Sequence, residues 1–151
     1  MITIRSLLRG RDGRLIELDG IDDPRHDPDY MEGAIELSID GVAILSGNDW
    51  DYIDELWAYI GGMLEKLDNG EPSAATYFPD QPLLLEMRRV SEGRLAVSCK
   101  HGKSVRAATV SEQELLGALR DSGREFFEAM ARAFPVNAES YSVASRAFYA
   151  G

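Results

Sequence analysis

Two histidines and one cysteine are the only side chains of their kinds in this 151-residue chain, which limits the chemistry it can perform. Cys99 and His101 stand two apart, a spacing that puts both on one face of an extended strand. A nucleophilic pair also needs an orienting third group and a recognisable nucleophile motif, and neither accompanies them. Cys99 therefore reads as a small apolar core residue. His26 lies among acids in an expected loop. Asp22, Asp23, Asp27 and Asp29 of that loop lack the alternate ligand spacing, the central glycine and the closing glutamate of a calcium loop. No glycine run follows a strand in the pattern that cradles phosphate. No catalytic residue, metal or cofactor is expected, and attention moves to binding.

The residues that suggest binding are acids and aromatics in two short stretches. In NDWDYIDELW (48–57), read as the start of a helix, Trp50, Ile53 and Trp57 share one side at spacings of three and four. Asp51, Asp54 and Glu55 lie toward the other side, with Tyr52 between. In TYFPDQP (76–82), two prolines stiffen the chain around Tyr77, Phe78 and Asp80. That stretch reads as a lead into a strand starting near Pro82, with Tyr77 or Phe78 under the sheet edge; an exposed rigid tip is the other reading. The expected partner-binding set is Asp49, Asp51, Tyr52, Asp54, Glu55, Tyr77, Phe78 and Asp80. The acids would steer a partner, and Tyr52, Tyr77 and Phe78 would anchor it.

Charge supports that choice. Residues 1–16 carry a net +3, residues 17–80 a net −15, and residues 81–151 a net +2, for −10 overall. An acidic half excludes the basic stripe of a nucleic-acid binder and fits a basic protein partner. Acids that merely keep a domain soluble are the plain alternative. No apolar run approaches the ~20 residues of a membrane span. The N-terminal stretch has an arginine within its apolar run and no secretory h-region, so a cytoplasmic location without membrane contact is expected.

The elements that must position these residues can be read from period and punctuation. ITIRSLLR (2–9) and GRLIELDG (13–20) flank Gly10-Arg11-Asp12-Gly13 and predict a hairpin. IDDPRHDPDYME (21–32) predicts an exposed loop. AIELSI (34–39) alternates at period two, and Asp40-Gly41 predicts a type I′ turn into VAILS (42–46). Apolar residues then recur from Trp50 to Leu67 at helical spacing, with Asn48 or Asp49 as the expected N-cap and Asp68-Asn69-Gly70 as the end. Gly61-Gly62 within that helix predicts close packing or a kink. LLLEMRRV (83–90), RLAVSCK (94–100) and SVRAATV (104–110) predict three more strands. Ser111 to Glu114 is a capping-box pattern, with Val110 and Leu115 placed as a staple, and Pro135 closes the helix it opens. A short amphipathic helix is expected in the tail.

The order is β-β-β-β-α-β-β-β-α in a single domain over residues 1–151. It predicts an α+β fold: one antiparallel sheet of about six to seven strands, with two long helices on one face.

ELSIDGVAILS, the helix NDWDYIDELWAYIGGML, YFPDQP with its apolar strand, and the closing REFFEAMARAFP together resemble small acidic actinobacterial proteins of the polymorphic-toxin immunity type. The resemblance spans roughly residues 33–134 and implies a non-enzymatic protein that neutralises a basic toxin partner. It carries no catalytic residues across. The alternative is a small-molecule-binding or enzymatic α+β domain with a pocket lined by Trp50, Trp57 and Tyr59. A structural or oligomeric subunit is a third reading.

Overall fold

A computed structural model describes residues 1–18 and 27–149. The strand end expected at 19–20, the loop residues 21–26 with Asp22, Asp23 and His26, and the last two residues lie outside the described residues.

The first half forms strands β1 (Ile2–Arg9), β2 (Leu15–Glu17), β3 (Glu32–Ile39), β4 (Val42–Leu45) and β5 (Asp51–Tyr52), then helix α1 (Ile53–Asp68). The second half forms β6 (Ser73–Tyr77), β7 (Leu84–Ser91), β8 (Arg94–His101) and β9 (Ser104–Ser111), then helices α2 (Glu112–Ala133) and α3 (Ala138–Ser145). The antiparallel α+β class agrees with the sequence pattern, but the single sheet does not. There are two sheets: a five-stranded one in the order β2-β1-β3-β4 with β5 also on β3, and a four-stranded one in the order β6-β7-β8-β9.

The divide arises because β3 spends its far side on two short partners. β4 pairs with residues 37–39 of β3, and β5 pairs with Glu32 and Gly33. Residues 46–50 bulge out between them, and β6 starts afresh after α1 beside β7 alone. The expected turn chemistry is present. Asp40 and Gly41 have φ of 48° and 84°, the left-handed pair that a type I′ turn demands.

Helix α1 starts at Ile53, which puts its N-cap three to four residues later than the expected Asn48 or Asp49. Its N-cap, Tyr52, makes no side-chain cap bond. Instead the Ile53 N–H donates to the Met31 carbonyl at 2.9 Å, so the residue just before β3 satisfies one of the helix's free donors. Trp50 therefore does not lie on the helix face. Helix α2 begins as its sequence predicts, with Ser111 Oγ accepting from the Glu114 N–H at 3.3 Å and Leu115 buried in the first turn.

One connected core joins both sheets and the helices. Helix α1 packs on β6 and α2 packs on β1, so each long helix crosses to the other half's strands. Where the helices meet, the Phe148 ring lies 5.7 Å from Trp57 and 5.9 Å from Phe127, centre to centre. Two glycines make the slot for it. A methyl added at Gly61 would come within 3.0 Å of Phe148, and one at Gly123 would come within 2.3 Å of its ring. Close packing is thus the reason for Gly61. Gly62 faces open space.

Candidate functional site

The eight residues picked from the sequence divide among four environments. Asp51 and Phe78 are interior. Phe78 is 4% exposed and anchors its stretch in the core, and burying a ring of that size contributes about 2–3 kcal/mol. Asp51 is 2% exposed, the one buried charged residue among the described residues. Its Oδ2 accepts the backbone N–H groups of Asp80 at 3.0 Å and Gln81 at 2.8 Å, and its Oδ1 accepts that of Tyr52 at 2.7 Å. A buried carboxylate is tolerable when its lone pairs are met in this way. Asp51 and Phe78 are therefore supports rather than contact residues, and what Asp51 supports is the turn of TYFPDQP. The same turn is closed by Phe78 N–H to Leu83 O at 2.9 Å and by Gln81 Nε2 to Trp50 O at 3.3 Å.

Asp49 belongs to the seam between the sheets. Its Oδ2 pairs with Arg106 Nη1 of β9 at 2.6 Å and accepts the Ser46 N–H at 2.8 Å. The hydrogen bond to Asp49 is the main reason that the Arg106 guanidinium is pushed above its ordinary range. Arg106 also reaches Cys99 Sγ at 3.5 Å. Cys99 is buried, and burial raises its thiol pKa, which suits an inert core residue rather than a nucleophile. His101, expected in a turn, is the exposed last residue of β8 and pairs with Ser104 of β9.

Tyr77 is 65% exposed but stands on the outward face of the second sheet. The register places it in one row with Leu84, Lys100 and Val105. Among the described residues no ring contact joins it to another tyrosine.

The remaining four share one region. The Tyr52 ring lies 6.2 Å from that of Tyr30, which is 61% exposed. Burial, followed by the charges of Asp80 and Glu32, raises the Tyr52 phenol above its ordinary value. Glu55 is exposed, and burial, Asp54 and Asp51 push its carboxyl upward. Asp54 is half-buried and accepts the Tyr141 hydroxyl at 2.9 Å, and loss of hydration raises its carboxyl pKa. Asn137 completes the link, donating through Nδ2 to Pro28 O at 2.8 Å and Tyr141 Oη at 3.2 Å. That network ties the acidic stretch before β3 to α1 and to the C-terminal helix.

A hollow of about 150 Å³ opens in this region, lined by Glu32, Trp50, Asp51, Tyr52, Asp80 and Gln81. At its edge the Arg9 guanidinium carbon sits 4.2 Å from the centre of the Trp50 ring, and Arg9 Nη1 is 3.3 Å from Glu32 Oε2. Arg9, Tyr30, Glu32 and Gln81 are absent from the sequence-derived set. An exposed tyrosine inside an acidic stretch was the signal for Tyr30; the others depend on tertiary contact.

A larger hollow of about 480 Å³ lies where the end of α1 meets the start of α2. It is lined by two ion pairs, Arg89–Glu112 at 2.6 Å and Arg120–Asp68 at 2.5 Å. Arg89 Nη2 also donates to Leu67 O at 2.9 Å, capping α1, so these groups are engaged in holding the two helices. The residues named for a small-molecule pocket do not converge: Trp57 is fully buried with its Nε1 on Ser6 Oγ at 3.0 Å, Tyr59 is exposed, and Trp50 lies beside Arg9. Among the described residues, no group of three or more His, Cys, Asp or Glu side chains is placed to hold a metal. Among the described residues, no helix is long and apolar enough to cross a membrane.

Comparisons with family models, with curated proteins and with solved structures gave no match, so the functional reading rests on this chain's own residues and geometry.

Proposed function

We propose that this chain is a non-enzymatic binding protein of the immunity type, which neutralises a basic partner protein through the acidic, tyrosine-bearing face around Tyr30, Tyr52, Glu55 and Asp80. The observation that carries this reading is the state of the acids there. Asp80 and Glu55 are exposed and form no ion pair among the described residues, and Asp80 lines a hollow with Tyr52, whose ring meets that of Tyr30. Unpaired surface carboxylates attract a basic partner and speed its encounter, while tyrosines supply contact area at low entropic cost. Asp49, Asp51 and Phe78 serve this face as supports, and Tyr77 stands apart from it.

The test is capture of partner from the native host by wild type and by the double charge reversal Asp80→Lys, Glu55→Lys. Capture is expected to fall at least about tenfold in the variant and to weaken for wild type as salt rises. For the immunity role, co-expression with the toxin encoded beside the gene is expected to protect cells, and the variant to protect less. Equal capture and equal protection by the two proteins would sink the reading.

A further inference from the structure

The hollow walled by Trp50 and Tyr52 has a defined chemistry, and we infer that it is a socket for one arginine side chain of the partner. This inference rests on the binding role proposed above and names what that face recognises.

Three features converge on a guanidinium. Glu32, Asp51 and Asp80 bring three carboxylates to the hollow, and Arg9 is the one cation seated against it by ion pair or ring contact among the described residues. Asp51 is committed to backbone N–H groups, which leaves Asp80 as the exposed, unpaired acceptor at the rim. A space of about 150 Å³ suits the flat end of an arginine, not a folded ligand.

The third feature is a precedent within the chain. The chain already seats a guanidinium of its own on this surface: Arg9 lies over the Trp50 ring at 4.2 Å while bonding Glu32 at 3.3 Å. Ring face plus carboxylate is the combination that favours the planar, weakly hydrated guanidinium over the compact ammonium of lysine. A second guanidinium would approach from the side lined by Tyr52, Asp80 and Gln81.

The two tryptophans make the test direct, because Trp57 is fully buried and Trp50 is half-exposed. The full chain is titrated with the capped tripeptide Gly-Arg-Gly, with its lysine counterpart, and with the neutral citrulline counterpart, reading tryptophan fluorescence. The arginine peptide is expected to give a saturable change, the lysine peptide to bind at least about threefold more weakly, and citrulline to give none. Asp80→Asn is expected to weaken the arginine peptide about fivefold, and Trp50→Phe to remove the signal. A flat arginine titration, an equal response to citrulline, or an unchanged Asp80→Asn overturns the socket. If partner capture still depends on Asp80 and Glu55 while the peptide fails, the socket alone is wrong. If the peptide titrates and no basic partner is captured, the socket stands without the proposed role.

Discussion

Two aromatic clusters in this molecule each contain one tryptophan and differ in how completely they close. Around Phe148, the rings of Trp57, Phe126 and Phe127 close on one another between α1 and α2, and glycines at 61 and 123 remove even a methyl's worth of obstruction. Around Tyr52, the rings of Tyr30 and Trp50 lie half-open among carboxylates, with a hollow between them. The first cluster is complementary to itself and leaves nothing for a partner. The second is incomplete, and its polar edges are arranged so that water, or another chain, must finish it. Tyrosine hydroxyls and acids mark the open one; phenylalanine and glycine mark the sealed one.

The sharpest way to break this contrast is to empty the sealed cluster. Phe148→Ala is expected to cost about 3–5 kcal/mol, measured as a lowered urea midpoint, since the slot is too well fitted to collapse cheaply. Peptide binding at the open cluster, measured on the fraction still folded, should change little.

Asp51→Ala comes next. It strips the acceptor from two backbone N–H groups of the turn, and a loss of about 2–3 kcal/mol is expected. Unlike Phe148→Ala, it should also loosen the open cluster. Faster amide exchange at Asp80 and Gln81 than in wild type would show this. Unchanged exchange there would mean that the turn holds itself.

The smallest effect falls where the clusters touch. Tyr141 packs on Phe127 and also donates to Asp54. Because burial raises the Asp54 carboxyl pKa in the folded state, the folded protein holds this proton more tightly than the unfolded chain. The resulting stabilisation is complete below the ordinary aspartate range and is lost as pH rises through the folded value. Asp54→Asn should therefore gain on wild type as pH rises from acid to neutral, by about 0.5 kcal/mol, in paired thermal melts. A gain that is the same at every pH would remove the titration of Asp54 as its cause.

Legibility in the sequence followed the range of the interactions. Asp40-Gly41, Ser111 and Pro135 set their turn, cap and stop through neighbours in the chain, and each is where the pattern predicts. Residues 73–77, SAATY, carry too little apolar or β-branched character to signal a strand, and become β6 only by pairing with β7. Trp50 fits a helical period that the chain does not follow, because Asp51 is drawn into pairing with β3 and into holding a turn about thirty residues away. Two sheets rather than one is likewise a matter of which edges meet. For the proposed site, charge and aromatic content singled out two stretches, but the sequence had no means of separating Asp51 and Phe78, which are buried, from Tyr52 and Asp80, which are not. Burial decides that, and burial belongs to the fold.

The solitary Cys99 gives the molecule a clock. It lies in the middle of β8 at 1% exposure, between β7 and β9. A thiol reagent reaches it only when the packing that covers it opens, and the chain has no other thiol to confuse the reading. The rate at which the protein takes up one label, in mild conditions and without denaturant, therefore reports opening of the core at that one place.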